Sequence, residues 1–211
     1  MRMLTGLGPD PRQPGYQLVE VDRGRFASLP ADALAVLDLV VGQPLDPCVL
    51  GRLTRLADVE AAARAGLRAL ARRGFARHDL RRRLLQRQHP GAAVDAALDR
   101  LASQGLVDDA RFALQYAAAR AARGRGPARL LRDLLAQGVE RRLSEQAVGD
   151  ALREEGVDPL QAARVAARQR AGVLRELPPD VRRRRLTAFL VRRGFGGSHL
   201  ASVVREAVSR V

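Results

Sequence analysis

The chain has 211 residues, of which 46% are hydrophobic, enough for one or two domains with buried cores. All 37 basic residues are Arg against 23 acidic ones, a formal net charge of +14, and a chain this basic is drawn to polyanions: nucleic acid, an acidic protein groove or anionic lipid. Cys48 stands alone, which excludes a disulfide framework and a thiolate metal site. No window approaches the ~18 consecutive apolar residues of a membrane span, and Met1 to Asp10 does not resemble a signal peptide. The expectation is a soluble, cytoplasmic protein without a cofactor.

In chain order, residues 1–15 hold three Gly and three Pro and read as a loose leader. Residues 16–57 read as an extension with a β-hairpin and two helices. Tyr16 to Asp22 suggests a strand, Asp22-Arg23-Gly24 a turn, and Arg25 to Leu29 the returning strand. Residues 31–41 place Leu34, Leu37, Val40 and Val41 at helical spacing. Asp46-Pro47 is an N-cap followed by Pro at the first helical position, opening a helix to about Leu56. From Asp58 onward the sequence predicts three triplets of helices: about 59–73, 77–88 and 90–104; about 109–123, 127–137 and 141–155; and about 159–176, 181–193 and 199–210. Glycines, prolines and aspartates punctuate them.

The triplets repeat. Asp58, Asp108 and Asp158 are 50 residues apart, each ahead of an alanine-rich helical stretch. Leu80 and Leu84 recur as Leu130 and Leu134, and Leu98 as Val148. A third copy returns with an offset of 56, as Leu186, Leu190 and Val204. One unit of this size cannot bury its own apolar face, so copies stack. The predicted fold is mainly α, an elongated array of three-helix repeats over 58–107, 108–157 and 158–211 behind the small N-terminal extension. Charge is uneven along it: residues 1–60 net −2 and residues 61–211 net +16, with 160–211 alone at +9.

Little in the chain looks catalytic. Asp108-Asp109 resembles a paired carboxylate, but Asp108 stands at a helix start, where a carboxylate satisfies open N–H groups. His78, His89 and His199 are scattered, and His89 aligns with apolar Val139 and Phe195. No His/Cys/Asp/Glu cluster has zinc spacing. Gly124-Arg125-Gly126-Pro127 lacks the Lys and Ser/Thr of a phosphate loop. It reads as a turn between helices, with phosphate contact by Arg123 and Arg125 as the other reading.

The arginine runs carry more. Arg81, Arg82 and Arg83, and Arg182, Arg183, Arg184 and Arg185, lie at or just before the middle helix of a repeat. Arg72-Arg73 and Arg192-Arg193 lie in last helical turns, where cations complement the dipole. Together with Arg123, Arg125, Arg129 and Arg132 they form the expected partner- or DNA-binding set, chosen by charge and position. The few aromatics of the repeats look like core, so the grip on a nucleic acid would be electrostatic and salt-sensitive.

These segments resemble a known family. Leu67 to Leu85 is similar to the first-repeat opening of RecX proteins, with Asp79-Leu80 as their acidic-Leu pair. Gly105-Leu-Val-Asp-Asp-Ala-Arg-Phe-Ala113 resembles their Gly-Leu/Ile-x-Asp-Asp-x-x-Phe-Ala block. Gly124-x-Gly126 with Leu130, Leu134 and Gly138-Val139 matches the second repeat, and Arg192-Arg193-Gly194-Phe195 the third. Ala76 stands where many members have Ser, which removes a helix cap. The resemblance implies a non-enzymatic modulator of the RecA recombinase, lying in the groove of its filament on single-stranded DNA and depressing ATP hydrolysis and strand exchange. It implies RecA and single-stranded DNA as partners, with duplex DNA reachable through phosphate contacts, and a monomer is expected. Two other readings stay open: a helical protein binding nucleic acid directly, and an adaptor docking another acidic protein.

Overall fold

Backbone pairing begins at the first strand of the computed structural model, which describes residues 2–210. Strands β1 (Arg2–Pro9), β2 (Tyr16–Val21), β3 (Gly24–Pro30) and β4 (Pro44–Leu45) form one antiparallel sheet in the order β3-β2-β1-β4. The β2–β3 hairpin turns through Asp22 and Arg23, both at positive φ (51° and 65°), the backbone of a type I′ turn.

The loose leader expected over residues 1–15 is replaced by β1. Its Leu4 is buried and pairs with Val21, and the Asp22 carboxylate accepts from the Met3 N–H at 2.9 Å. Gly and Pro in this stretch conceal the strand from local composition, because the ladder comes from a separate strand, β2. Pro9 closes the strand, where a missing N–H is tolerated.

The helix expected over 31–41 stops early: α1 covers only Ala31–Ala35. The chain must then return to the sheet, and it does so through left-handed Asp38 (φ 44°) and Gly42 (φ 93°). Gly42 N–H donates to Leu4 O at 2.8 Å, and Leu4 N–H donates to Gln43 O at 3.0 Å. Leu34 and Leu37 reach the core, whereas Val36, Val40 and Val41 are left on the surface.

Helix α2 (Pro47–Leu70) is the largest departure from the predicted elements. Asp46 caps it as expected, accepting from Cys48 and Val49 N–H at 2.7 and 2.9 Å. The helix then continues through Asp58, which caps nothing, so two expected helices are one of 24 residues. Between Leu56 and Val59 there is neither Pro nor Gly, and one Asp in a helix interior costs only ~0.5 kcal/mol. The first half packs Leu53 with Leu4, Val19, Leu29 and Leu45 against the sheet. The second half packs on α4 (Gly91–Ser103), and α3 (Arg77–Gln86) lies between them in sequence.

The chain forms two units. The first holds the residues up to Gly74 together with Leu80–Val107, and the second holds Phe75–Asp79 with Asp108 onward. The second contains α5 (Asp109–Ala121), α6 (Pro127–Ala136) and α7 (Arg141–Glu154), then α8 (Pro159–Val173), α9 (Pro179–Arg193) and α10 (Leu200–Ser209). Each trio has its own core. The repeat leucines are core throughout: Leu80, Leu84, Leu130, Leu134, Leu186 and Leu190 are all at most 1% exposed.

Candidate nucleic-acid and partner interface

In the first unit, arginines turn toward carboxylates. Glu60 on α2 is buried and accepts from Arg64 Nε at 3.0 Å and from Arg100 Nη1 and Nη2 at 3.0 Å each. Arg64 continues to Gln13 Oε1 (2.9 Å) and Ser28 O (3.1 Å), tying the sheet region to the helices. Burial, and next the Glu60 charge, push the neighbouring Tyr16 phenol above its ordinary pKa. Of the expected partner-binding residues, Arg81 makes a two-pronged bond to Asp95 across α3 and α4 (2.6 and 3.1 Å). That bond raises the pKa of its guanidinium further. Arg73 donates to Gly74 O at 3.3 Å. Arg72 and Arg82 are exposed, and Arg83 is half-buried.

The second unit gathers a different set. The turn between α5 and α6 meets the end of α9 backbone to backbone. Gly126 N–H donates to Arg193 O at 2.8 Å and Ala128 N–H to Gly194 O at 3.2 Å. A Cβ on Gly126 would fall 2.4 Å from Gly194 atoms, so only glycine permits the approach. This joint consumes the donors at the start of α6. The phosphate-loop reading of Gly124-Arg125-Gly126 is therefore set aside, because its N–H groups already face carbonyls. Around the joint lie Arg123, Arg125, Arg129 and Arg193. Arg193 donates to Arg123 O at 3.2 Å, while Arg125 and Arg129 both hold Asp133, at 2.7 and 2.8 Å. Arg132 turns back to Ala128 O (3.3 Å).

Helix α9 separates its arginine run. Arg182 is only 8% exposed, and its guanidinium donates to Leu177 O (3.4 Å) and Val208 O (3.5 Å). It braces the third trio and drops out of the expected contact set. Its place follows from spacing: Arg182, Leu186 and Leu190 are four apart, on one face. Arg183 pairs with Asp180. Arg184, Arg185 and Arg192 point to solvent.

Two arginines that stack on aromatic rings, Arg170 and Arg120, lie outside the expected set. Arg170 lies over the Phe189 ring at 5.6 Å, with Arg193 also over that ring at 5.5 Å. The 50-residue period relates Arg170 to Arg120, which covers Tyr116 at 3.5 Å, and that spacing was the available signal.

The acidic pair Asp108-Asp109 is structural. Asp108 caps α5, accepting from Arg111 N–H at 2.9 Å. Asp109 reaches Arg77 N–H at 2.7 Å and supplies α3 with the cap that Ala76 cannot. At α7 the cap is Glu140, whose carboxylate accepts from Arg142 and Leu143 N–H (2.9 and 3.0 Å). Those bonds hold its pKa below the ordinary glutamate range. Among the described residues, no group of three His, Cys, Asp or Glu is placed to hold a metal ion, and no helix is long and apolar enough to cross a membrane.

Successive three-helix domains with exposed arginines define a helical-repeat protein. Comparison with known proteins narrows the class. Residues 108–148 match the second three-helix domain of RecX, and residues 157–204 match the third. Regulatory protein RecX of Halorhodospira halophila is 35% identical over 149 residues, covering 70% of this chain and 89% of the relative. That of Ectopseudomonas mendocina is 37% identical, covering 69% and 93%, and that of Thermobifida fusca is 39% identical, covering 71% and 80%. The chain belongs to the RecX family of regulatory proteins. Two crystal structures share the fold: a regulatory protein RecX (TM-score 0.72, 19% identity, 99% of this chain and 100% of that one) and RecX from Lactobacillus salivarius (0.58, 16%, 71% and 96%).

Proposed function

We propose that the chain is a non-enzymatic negative regulator of homologous recombination. It binds in the groove of the RecA filament on single-stranded DNA and lowers ATP hydrolysis and strand exchange, acting as a cytoplasmic monomer. Membership of a family of regulatory proteins supports this reading. The single observation that carries the contact surface is the exposed set Arg123, Arg184, Arg185 and Arg192 of the second unit. Cations on a helical scaffold suit acidic protein loops and DNA phosphates together, giving fast, salt-sensitive association. Arg72 and Arg82 of the first unit are also exposed and add to the set.

The test is single-strand-dependent ATP hydrolysis by the cognate RecA with the chain titrated from substoichiometric to equimolar, beside a gel shift with DNA alone. Inhibition at well below one chain per DNA-binding site supports filament regulation. Unchanged hydrolysis with tight binding to bare DNA rejects it in favour of a direct nucleic-acid binder.

A further inference from the structure

The early end of α1 leaves a groove on the first unit that the proposed function does not use. It is lined by Ala33, Val36, Leu37, Leu56 and Val59 together with Arg52 and Arg55, and its volume is ≈ 250 Å³. Val36 is 68% exposed although it borders the buried Leu37. Arg52 and Arg55 are three apart on α2 and therefore share a face. Both are exposed, and among the described residues neither has a carboxylate partner, unlike Arg64 and Arg100 farther along the unit.

We propose that this groove docks a short acidic peptide segment of a partner protein, with one or two large apolar side chains inserted over Val36 and Leu56 and carboxylates meeting Arg52 and Arg55. The volume lies below the ~300–1,000 Å³ of small-molecule sites and suits a side-chain anchor. The groove has no aromatic lining on which a nucleic-acid base would stack. A second copy docked symmetrically would set Arg52 and Arg55 against themselves, a like-charge clash. An acidic apolar segment meets both features at once.

The test selects displayed random peptides of roughly twelve residues against the immobilised full chain, then titrates recovered sequences by fluorescence anisotropy. The proteins compared are the wild type, Val36→Asp, the Arg52→Glu/Arg55→Glu pair and the Arg184→Glu/Arg185→Glu pair. All of these side chains are exposed, except that the Val36 backbone ends α1, so circular dichroism of each variant accompanies the titration. The expected result is acidic peptides with an apolar anchor whose affinity falls about tenfold or more in each groove variant and stays unchanged in the α9 variant. Recovery of no peptide or only basic ones overturns the proposal, as does acidic-peptide binding that survives the groove changes or is lost with the α9 pair. Dimerisation of the chain that Val36→Asp abolishes overturns it in favour of a second copy.

Discussion

The two units divide one residue type between cohesion and surface charge in different ways. In the first, Arg64, Arg81 and Arg100 are drawn to Glu60 and Asp95, and they hold helices and sheet together. In the second, the Gly126–Gly194 joint adds backbone bonds to such pairs as Arg125 and Arg129 with Asp133 and Arg164 and Arg168 with Glu206, while Arg123, Arg184, Arg185 and Arg192 stay at the surface. A high arginine count is therefore a poor measure of binding surface. What decides is whether a carboxylate or carbonyl lies within reach, and a buried ion pair broken on one side costs far more than an exposed one.

The largest expected effect comes from removing the first unit's central carboxylate. Glu60→Ala strands two partly buried guanidinium groups, which are about a third exposed, so the loss of stability is about 2–4 kcal/mol by urea denaturation. A loss under ~0.5 kcal/mol would mean that the arginines find water as easily as Glu60. In the second unit, Gly126→Ala forces a Cβ into the Gly194 backbone and is expected to cost about 2–3 kcal/mol. Its signature in hydrogen exchange is loss of protection at Gly126 and Ala128, and intact protection there would show that the joint is not what orders the turn.

Smaller changes sharpen the contrast. Asp109→Ala removes the α3 cap and should cost about 1 kcal/mol, an effect that Ala76→Ser, which introduces a local cap, is expected to offset in part. Arg182→Ala leaves the Leu177 and Val208 carbonyls without their donor, costing about 1–2 kcal/mol, while Arg184→Ala stays within about 0.5 kcal/mol. Equal stabilities would return Arg182 to the surface set.

The smallest effect is on pH. The native pKa of Glu140 is depressed, so its contribution is present above the ordinary glutamate value and disappears as pH falls through the native one. Thermal melts at stepped pH should show that this part of the acid slope vanishes in Glu140→Gln. An unchanged slope would remove the α7 cap from the account.

The repeat leucines were legible because burial of one helix face requires them at fixed spacing, and Leu80, Leu130 and Leu186 obey it. The hairpin was legible from its turn. Strand β1 was not, because its stability comes from pairing with β2 and β4, which local composition does not encode. Asp58 misled because its distance from Asp108 matched the repeat, while a cap requires a break in the backbone that α2 does not have. The loss of a cap at Ala76 was legible, and its replacement by Asp109, 33 residues away in sequence, was not. Four consecutive arginines cannot all face solvent on a helix turning about 100° per residue, so Arg182 could have been separated from Arg184 by spacing alone.

The most direct measurement compares inhibition of RecA ATP hydrolysis by the wild type, by Arg184→Glu/Arg185→Glu and by Arg81→Ala, at two salt concentrations. The account predicts that the α9 variant needs about tenfold more protein for half inhibition, that the wild type weakens as salt rises, and that Arg81→Ala, whose guanidinium is committed to Asp95, inhibits like the wild type. Undiminished inhibition by the folded α9 variant, or no inhibition by the wild type at either salt concentration, would contradict it.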